Sequence, residues 1–545
     1  MRKAILLTLF ITTHLLCHAQ GGIWTWVKGS DTLNGPGNIG TIGVTNSANY
    51  PDGRYSAAQW TDLIGNFWIF GGVSSAGERN DLWKYSPTAN TWTWVNGPIT
   101  QGGAGVYGTK GIPGPNNIPG ARSWGGRTWT DQQGRLWLNG GMGHDVNGVG
   151  GVFLNDLWMY DITTNEWTWM AGTDTVGTAP QYGTLQVPAI GNTPGGRSEC
   201  NTAWVKFDGT LWTFGGENNR FGLYDDLWND MWMFDINTNM WTWMSGDSTS
   251  NKTGNFGTLN VEAASNLPSS RFSYTHWQDA NDNFYIFSGC GYVSSGSGVY
   301  SDVWKYNTSN NRWTWIGGDT TPNSTGLYLQ TCIPGSGIKP GGRYENRTAQ
   351  MNACTDIFWT FGGQDINYNT FNDLWVFNAQ TDQWTWVSGD STVNSTGNYG
   401  TIGQPSATNL PPSRTGECMW VDGSGVIWIW GGSPFSYEYH SDMWKFVPDT
   451  SCLPSSKCEN GISETTEPSG IRLYPNPNNG SFILDAPQAI GSTYTIYDML
   501  GRLIQQDIIS AESIPISMSG SAAGAYALVV HTAAASGTIR FTVLK

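Results

Sequence analysis

The sequence predicts an all-β fold made from one supersecondary unit repeated around a ring, followed by a small β-sandwich. Three observations carry that prediction. Trp-Thr-Trp occurs six times, at Trp24, Trp92, Trp167, Trp241, Trp313 and Trp384, with gaps of 68, 75, 74, 72 and 71 residues. A regular period of that length marks a fold of repeated units. Five of the copies end a set of landmarks that return in fixed order, every one reading as a short strand with period-2 alternation. The count also closes: five repeats are complete, the last set lacks its Trp-Thr-Trp, and an orphan copy stands at Trp24 ahead of the first set.

The first landmark is an arginine opening an extended stretch: Arg54, Arg122, Arg197, Arg271, Arg343 and Arg414. An apolar strand ending in a glycine pair follows, at Gly71-Gly72, Gly140-Gly141, Gly215-Gly216, Gly362-Gly363 and Gly431-Gly432, with Ser288-Gly289 breaking the pair in the fourth repeat. Next comes Asp-apolar-Trp, beginning at Asp81, Asp156, Asp230, Asp302, Asp373 and Asp442, and then Trp-Thr-Trp. Turn residues such as Asp208-Gly209, Asp422-Gly423 and Thr163-Thr164-Asn165 separate the strands. Four antiparallel strands per unit, arranged radially, make a β-propeller blade. An unpaired edge strand would invite aggregation, so the strand around Trp24 is expected to complete the sixth blade. No stretch has a helical period.

The 31 tryptophans fall into this register. Twelve lie in Trp-Thr-Trp and six in Asp-apolar-Trp. Five more are in the second strand and five lie six or seven residues past the arginine, leaving Trp124, Trp228 and Trp430 out of register. Rings that recur in every unit read as packing between blades. The glycine pair, the Asp-apolar-Trp and the later tryptophan together resemble the Kelch motif of the galactose oxidase and Kelch propellers, over roughly residues 21–450. The resemblance implies a six-bladed Kelch-type β-propeller closed by the N-terminal strand. It does not by itself assign a function, because this fold hosts enzymes and binders alike. The period exceeds the ~50 residues usual for Kelch repeats, so about twenty residues are inserted per blade.

Residues 1–19, with Arg2 and Lys3 ahead of an apolar run and Cys17-His18-Ala19 at its end, read as a secretory signal peptide. Residues 20–450 are the propeller and 451–470 a linker rich in Ser, Pro, Thr and Glu. Cys452 and Cys458 are close enough in sequence for a local disulfide. Cys200 and Cys418, at similar places after their arginines, are expected to be packing residues. Residues 471–545 contain Leu473-Tyr474-Pro475-Asn476-Pro477, Tyr497-Asp498-Met499-Leu500-Gly501-Arg502 and Gly524-Ala525-Tyr526. This segment resembles the C-terminal sorting domain of the Bacteroidetes type IX (Por) secretion system. The resemblance implies a small β-sandwich read by the export machinery, and a secreted or cell-surface protein. A net charge of −15 argues against nucleic acid or an anionic membrane as partner, and no further stretch is apolar enough to span a membrane.

Candidate chemistry gathers on one face, where the second-to-third-strand loops and the inter-blade insertions emerge. The six arginines are expected at the channel mouth there, as binders of carboxylates or acidic sugars or as scaffold. Glu199, Glu345 and Glu417, two or three residues further on, are their expected salt-bridge partners and the only acid/base candidates. Arg220, Tyr224 and Trp228 in the third blade, and Tyr437, Tyr439 and His440 in the sixth, are further ligand candidates, because these loops differ between blades. His144 and Asp145 lie in the second-blade loop. The insertions share Gly-x-(Ile/Tyr/Phe)-Gly-Thr, as at Gly105–Thr109 and Gly397–Thr401, and are expected to pack on their own blades. The propeller's histidines, His144, His276 and His440, lack ligand spacing, so no metal and no cofactor is expected. The sequence therefore predicts a binding module for a carbohydrate or an extracellular protein. A sugar-active enzyme using Arg/Glu groups at the channel is the alternative.

Overall fold

The computed structural model describes residues 20–124, 126–199, 204–206, 208–218, 226–279, 281–294, 296–335, 337–350, 357–434, 437–453, 471–475, 478–498, 503–518, 520–521, 524–531 and 536–543. The predicted signal peptide, Cys200, Cys458, Arg220 and Tyr224 lie outside the described residues. Among the described residues, all regular structure is β apart from two short turns of 3-10 helix, Thr450–Cys452 and Pro487–Ala489.

Each repeat forms an antiparallel sheet of four main strands, the second carrying the short Arg122–Ser123 as a fifth, and in the first five repeats the strands follow in sequence order. In the first, Ala58–Thr61, Phe67–Phe70, Leu82–Ser86 and Thr91–Asn96 follow one another. The second strand, Phe-Trp-Ile-Phe, is buried on both faces. Its entry turn is fastened by Asp62, whose carboxylate accepts the backbone N–H groups of Ile64 and Asn66 and the Trp68 Nε1–H. The turn into the outer strand places Asn90, Asn165, Asn239, Asn311 and Asp382 at positive φ, where a short polar side chain is tolerated. The sixth sheet has Gly22–Lys28 as its outer strand, antiparallel to Met443–Pro448, in the order outer, third, second, first.

Among the described residues of the repeats, the hydrophobic core falls into six clusters, each shared by two successive repeats. Phe70, Leu82, Leu138 and Trp158 join the first to the second. Ile69, Trp83, Trp420 and Trp430 join the sixth to the first. Backbone bonds accompany the packing. The second residue of the glycine pair donates to the carbonyl of the next repeat's arginine: Gly72 to Arg122, Gly141 to Arg197, Gly289 to Arg343, Gly363 to Arg414 and Gly432 to Arg54, at 2.7–3.0 Å. That approach explains the pair. Both residues have positive φ, and a Cβ on Gly71, Gly140, Gly215, Gly362 or Gly431 would lie 2.6–2.9 Å from that carbonyl oxygen. Ser288, which breaks the pair in sequence, keeps its left-handed conformation at φ 65° and hydrogen-bonds Asn346 through Oγ.

The insertions have one structural task, which is to cover the outer edge of their own sheet. Asn46, Gly114, Ala189, Ala263, Gly335 and Ser406 each bridge the first Trp of a Trp-Thr-Trp. Backbone N–H groups of Gly43, Gly111, Gln186, Asn260, Cys332 and Gly403 donate to the carbonyl of its second Trp. Side-chain amides of Asn117, Asn192, Asn266 and Asn409 bond the first Trp's carbonyl. An edge that would otherwise be open to another chain is thereby occupied. Ser406 and Gly403 of the sixth insertion reach Trp24 and Trp26, which assigns Gly22–Lys28 to the sixth repeat a second time.

The expected local Cys452–Cys458 disulfide is replaced by a long-range one between Cys332 and Cys452. The cap of the fifth sheet holds Cys332 beside Trp386 and Val387. Gly21 docks on Val387 there, and Asp449, leaving the last strand, donates to Gly21. A side chain on Gly21 would run into both sulfurs. Sequence proximity of cysteines says nothing about a contact made by two chain ends meeting. Cys418 is buried, as expected, and so is Cys290.

Residues Arg472–Val543 form two further sheets, one of Arg472–Tyr474, Ser481–Asp485 and Ser513–Ser517, the other of Leu503–Ile508, Thr493–Asp498, Gly524–His531 and Ser536–Val543. Their shared core holds Phe482, Leu484, Ile496, Ile516, Leu528 and Phe541. Among the described residues, no helix is long and apolar enough to cross a membrane.

Candidate functional site

The six arginines are 0–2% exposed and belong to the scaffold. Each forks both Nη groups onto the two carboxylate oxygens of its own repeat's Asp-apolar-Trp aspartate, at 2.5–2.9 Å. Nη1 also donates to the first carbonyl of the glycine pair, as Arg54 does to Gly71 and Arg414 to Gly431. The aspartate accepts its own tryptophan's Nε1–H as well, for example Trp158 on Asp156 at 2.8 Å. In four repeats the insertion's Tyr107, Tyr182, Tyr328 or Tyr399 donates its hydroxyl to the same oxygen. Burial, followed by the neighbouring carboxylate, drives these phenols far above the ordinary tyrosine range. Burial alone would lower the Arg54 pKa, but Asp52 and Asp81 outweigh it.

The expected Glu partners of the arginines are therefore replaced by aspartates about thirty residues downstream. Glu199 and Glu345 are buried at a different place. The second residue after each arginine (Ser56, Trp124, Glu199, Ser273, Glu345 and Gly416) has a φ of 50–63°. Its backbone joins the same position of the preceding repeat: Ser56 N–H to Gly416, Glu199 to Trp124, Ser273 to Glu199, Glu345 to Ser273 and Gly416 to Glu345, at 2.8–3.1 Å. These bonds form a belt running from repeat to repeat. The Ser273 hydroxyl donates to the Glu345 carboxylate across 3.1 Å. Glu417 sits one residue beyond the belt, with its carboxylate near Gly362 of the fifth repeat.

At the belt are the residues the sequence reading missed. Tyr55, Phe272 and Tyr344 directly follow their arginines, Trp124 is a belt residue, and all four are half-buried. Tyr55 and Trp124 meet edge-on with centroids 6.4 Å apart, and Phe272 and Tyr344 at 6.1 Å. Unlike the sheet tryptophans, these rings are not enclosed in the inter-repeat cores. The position after the arginine reads Tyr55, Ser123, Ser198, Phe272, Tyr344, Thr415, so its signal was variation beside an invariant residue. Opposite it on the neighbouring strand lie Val73, Met142, Glu217, Cys290, Gln364 and Ser433.

The loop candidates separate by burial. Trp228 is 8% exposed and covers the Arg197 guanidinium, with the cation 4.6 Å from the ring centroid. Tyr300 and Phe371 do the same over Arg271 and Arg343. Trp228, the ring that seemed out of register, is thus one of a set, two residues before the aspartate. His440 holds that position in the sixth repeat and is 4% exposed, and Tyr439 is equally buried. Among the described loop candidates, Tyr437, at 83% exposure, is the one left in solvent. His144 lies 3.0 Å from Glu78, whose other oxygen accepts from Ser123. No group of three or more His, Cys, Asp or Glu side chains among the described residues could hold a metal ion.

Burial, then the Arg414 charge, push the His440 imidazole down to about 3. The unfolded imidazole takes a proton near 6.5, so between these values the unfolded chain binds more protons and stability falls as pH falls. Between pH 7 and 5 the loss from this residue should be about 2 kcal/mol. His440→Phe, the residue at the equivalent Phe371, should remove that component. Denaturant unfolding at both pH values tests it, and an equal pH dependence in both proteins would refute it.

Residues 181–396 match the family model described as the KLHDC2/KLHL20/DRC7 Kelch-repeats domain. These are Kelch repeats. Residues 472–544 match the model of a secretion system C-terminal sorting domain, so the Kelch-repeat region is followed by a type IX export tail. A comparison with curated proteins finds no match. The Kelch arginine, glycine pair and aspartate–tryptophan units are all accounted for by the scaffold contacts above.

Proposed function

We propose that residues 20–450 form one closed six-bladed propeller that serves as a binding module for a carbohydrate or an extracellular protein, taken at the aromatic mouth of the channel. After removal of a signal peptide at 1–19, the sorting domain at 471–545, joined by a linker at 451–470, would carry it to the cell surface or beyond. Closure is supported by the core shared between the sixth and first repeats and by the Gly432–Arg54 bond. The observation that carries the binding reading is the contrast between two sets of side chains. The repeated arginines are buried and the repeated tryptophans lie in or pack against the inter-repeat cores, while Tyr55, Trp124, Phe272 and Tyr344 vary between repeats, belong to none of those cores and stay half-buried at the belt. Rigid aromatic surface with a few polar neighbours is what small-ligand and protein sites share.

The test uses the mature full-length chain on arrays of glycans and purified extracellular proteins. Tyr55→Ser and Tyr344→Thr borrow the residues of sister repeats, Ser123 and Thr415, so the fold should hold. Together they should weaken binding of whatever ligand is found at least about tenfold, which is ~1.4 kcal/mol. Unchanged affinity in the double variant would move the site away from the mouth.

A further inference from the structure

The four aromatic residues are not spread evenly. Tyr55 and Trp124 come from the first and second repeats, Phe272 and Tyr344 from the fourth and fifth. In the cyclic order of six repeats these pairs face each other across the channel. The third and sixth repeats, between them, present small and polar groups: Ser198 with Glu217, joined by a 3.1 Å hydrogen bond, and Thr415 with Ser433. Gly416 in the sixth repeat leaves room for the Tyr55 ring, which lies where a Cβ would be.

Building on the mouth reading above, we propose that the ligand is a linear, neutral oligosaccharide lying across the channel, with one sugar on each aromatic pair. Two separated apolar platforms suit a polymer whose repeating units offer C–H faces, and the polar gaps suit its hydroxyl edges. In an edge-on pair, the ring that points its edge at its partner keeps its own faces clear of that partner. An anionic ligand is disfavoured, because the six repeat arginines beneath the mouth are neutralised by their aspartates and Glu217 adds a carboxylate between the platforms. A ligand reaching both platforms gains the second contact intramolecularly, so affinity should depend on length in a step rather than a slope.

The experiment is calorimetric titration of the mature chain with length series, disaccharide to octasaccharide, of β-1,4-linked glucose, β-1,4-linked N-acetylglucosamine and α-1,4-linked glucose. In one series affinity should rise about tenfold or more at a single added unit, when the second platform comes within reach. Trp124→Gly and Phe272→Ser should each erase that step and leave the short oligomers nearly unaffected. Both replacements already stand in sister repeats, as Gly416 and Ser198, so misfolding is not the expected outcome, and an unchanged thermal midpoint checks it. Affinity independent of length, or equal losses for short and long oligomers, would overturn the two-platform arrangement. Binding of a protein at the mouth with no response to any oligosaccharide would overturn the glycan but leave the mouth as the site. Ligand binding indifferent to Tyr55, Trp124, Phe272 and Tyr344 together would sink both.

Discussion

Replacing Asp156 by Ala is expected to destabilise the Kelch-repeat region by about 3–5 kcal/mol, the usual cost of stranding a buried charge. Asp156 and Arg122 are 0% and 2% exposed, and water cannot readily replace the lost carboxylate. Four donors would lose their acceptor at once: both Arg122 Nη groups, the Trp158 Nε1–H and the Tyr107 hydroxyl. The fourth repeat provides an internal control. There Phe256 stands where four other repeats place tyrosine, so Asp302→Ala strands Arg271 and Trp304 but no phenol. Asp302→Ala should therefore cost about 1 kcal/mol less than Asp156→Ala, the worth of one buried hydrogen bond. Equilibrium unfolding of both variants decides it. A loss under ~1 kcal/mol for either would show that these ion pairs do not hold the repeats together.

The same residues show what could be read in the sequence. The six arginines, the aspartates and the tryptophans were visible as a period, and the period gave strand order and the role of the Trp24 strand. What the period could not show was partnership. Arg197 and Glu199 are neighbours in sequence, yet the guanidinium turns outward along the sheet to Asp230 while Glu199 turns into the belt. Period-2 geometry would send residues two apart to the same face, but the left-handed Glu199, at φ 55°, interrupts the extended run, and nearness along the chain pointed to the wrong acid. Trp228 looked like a ligand residue because it was out of register, although it sits at a stacking position filled by Tyr300 and Phe371 elsewhere. The mouth was overlooked for the complementary reason. Tyr55 and Phe272 form no motif, and only comparison of one position across all repeats reveals that a scaffold arginine is followed by a variable side chain. Cys332–Cys452 lay beyond sequence reasoning, because it depends on where the two ends of the repeat array meet.

That meeting point sets the last expectation. Deleting residues 20–28 should do more damage than any single substitution. Trp24 is fully buried against Phe361, Trp444 and Phe446, and its Nε1–H bonds Ser388 of the fifth repeat. A tryptophan that buries 150–250 Å² of apolar surface contributes about 4–6 kcal/mol at 25 cal/mol per Å². The deletion would also strip the cap of the sixth repeat of its partners, since Gly403 and Asn409 bond the carbonyls of Trp26 and Trp24. It would bare the backbone of Met443–Pro448 along its whole length, an open edge that recruits other chains. Expected results are a thermal midpoint lowered by more than ten degrees or so, using the ~2–4 °C per kcal/mol of larger domains, and a shift of the protein into aggregates. A circular permutant that places Gly22–Lys28 after Pro448, joined by a Thr-Thr-Asn turn like Thr163-Thr164-Asn165, should restore both, because the strand pairing is independent of which chain end supplies it. If the deleted protein stays soluble with an unchanged midpoint, the Trp24 strand is not what completes the sixth repeat in solution. If the deletion is damaging but the permutant fails as well, the junction of Gly21, Val387 and the Cys332–Cys452 disulfide, rather than strand pairing, is what the N-terminal segment contributes.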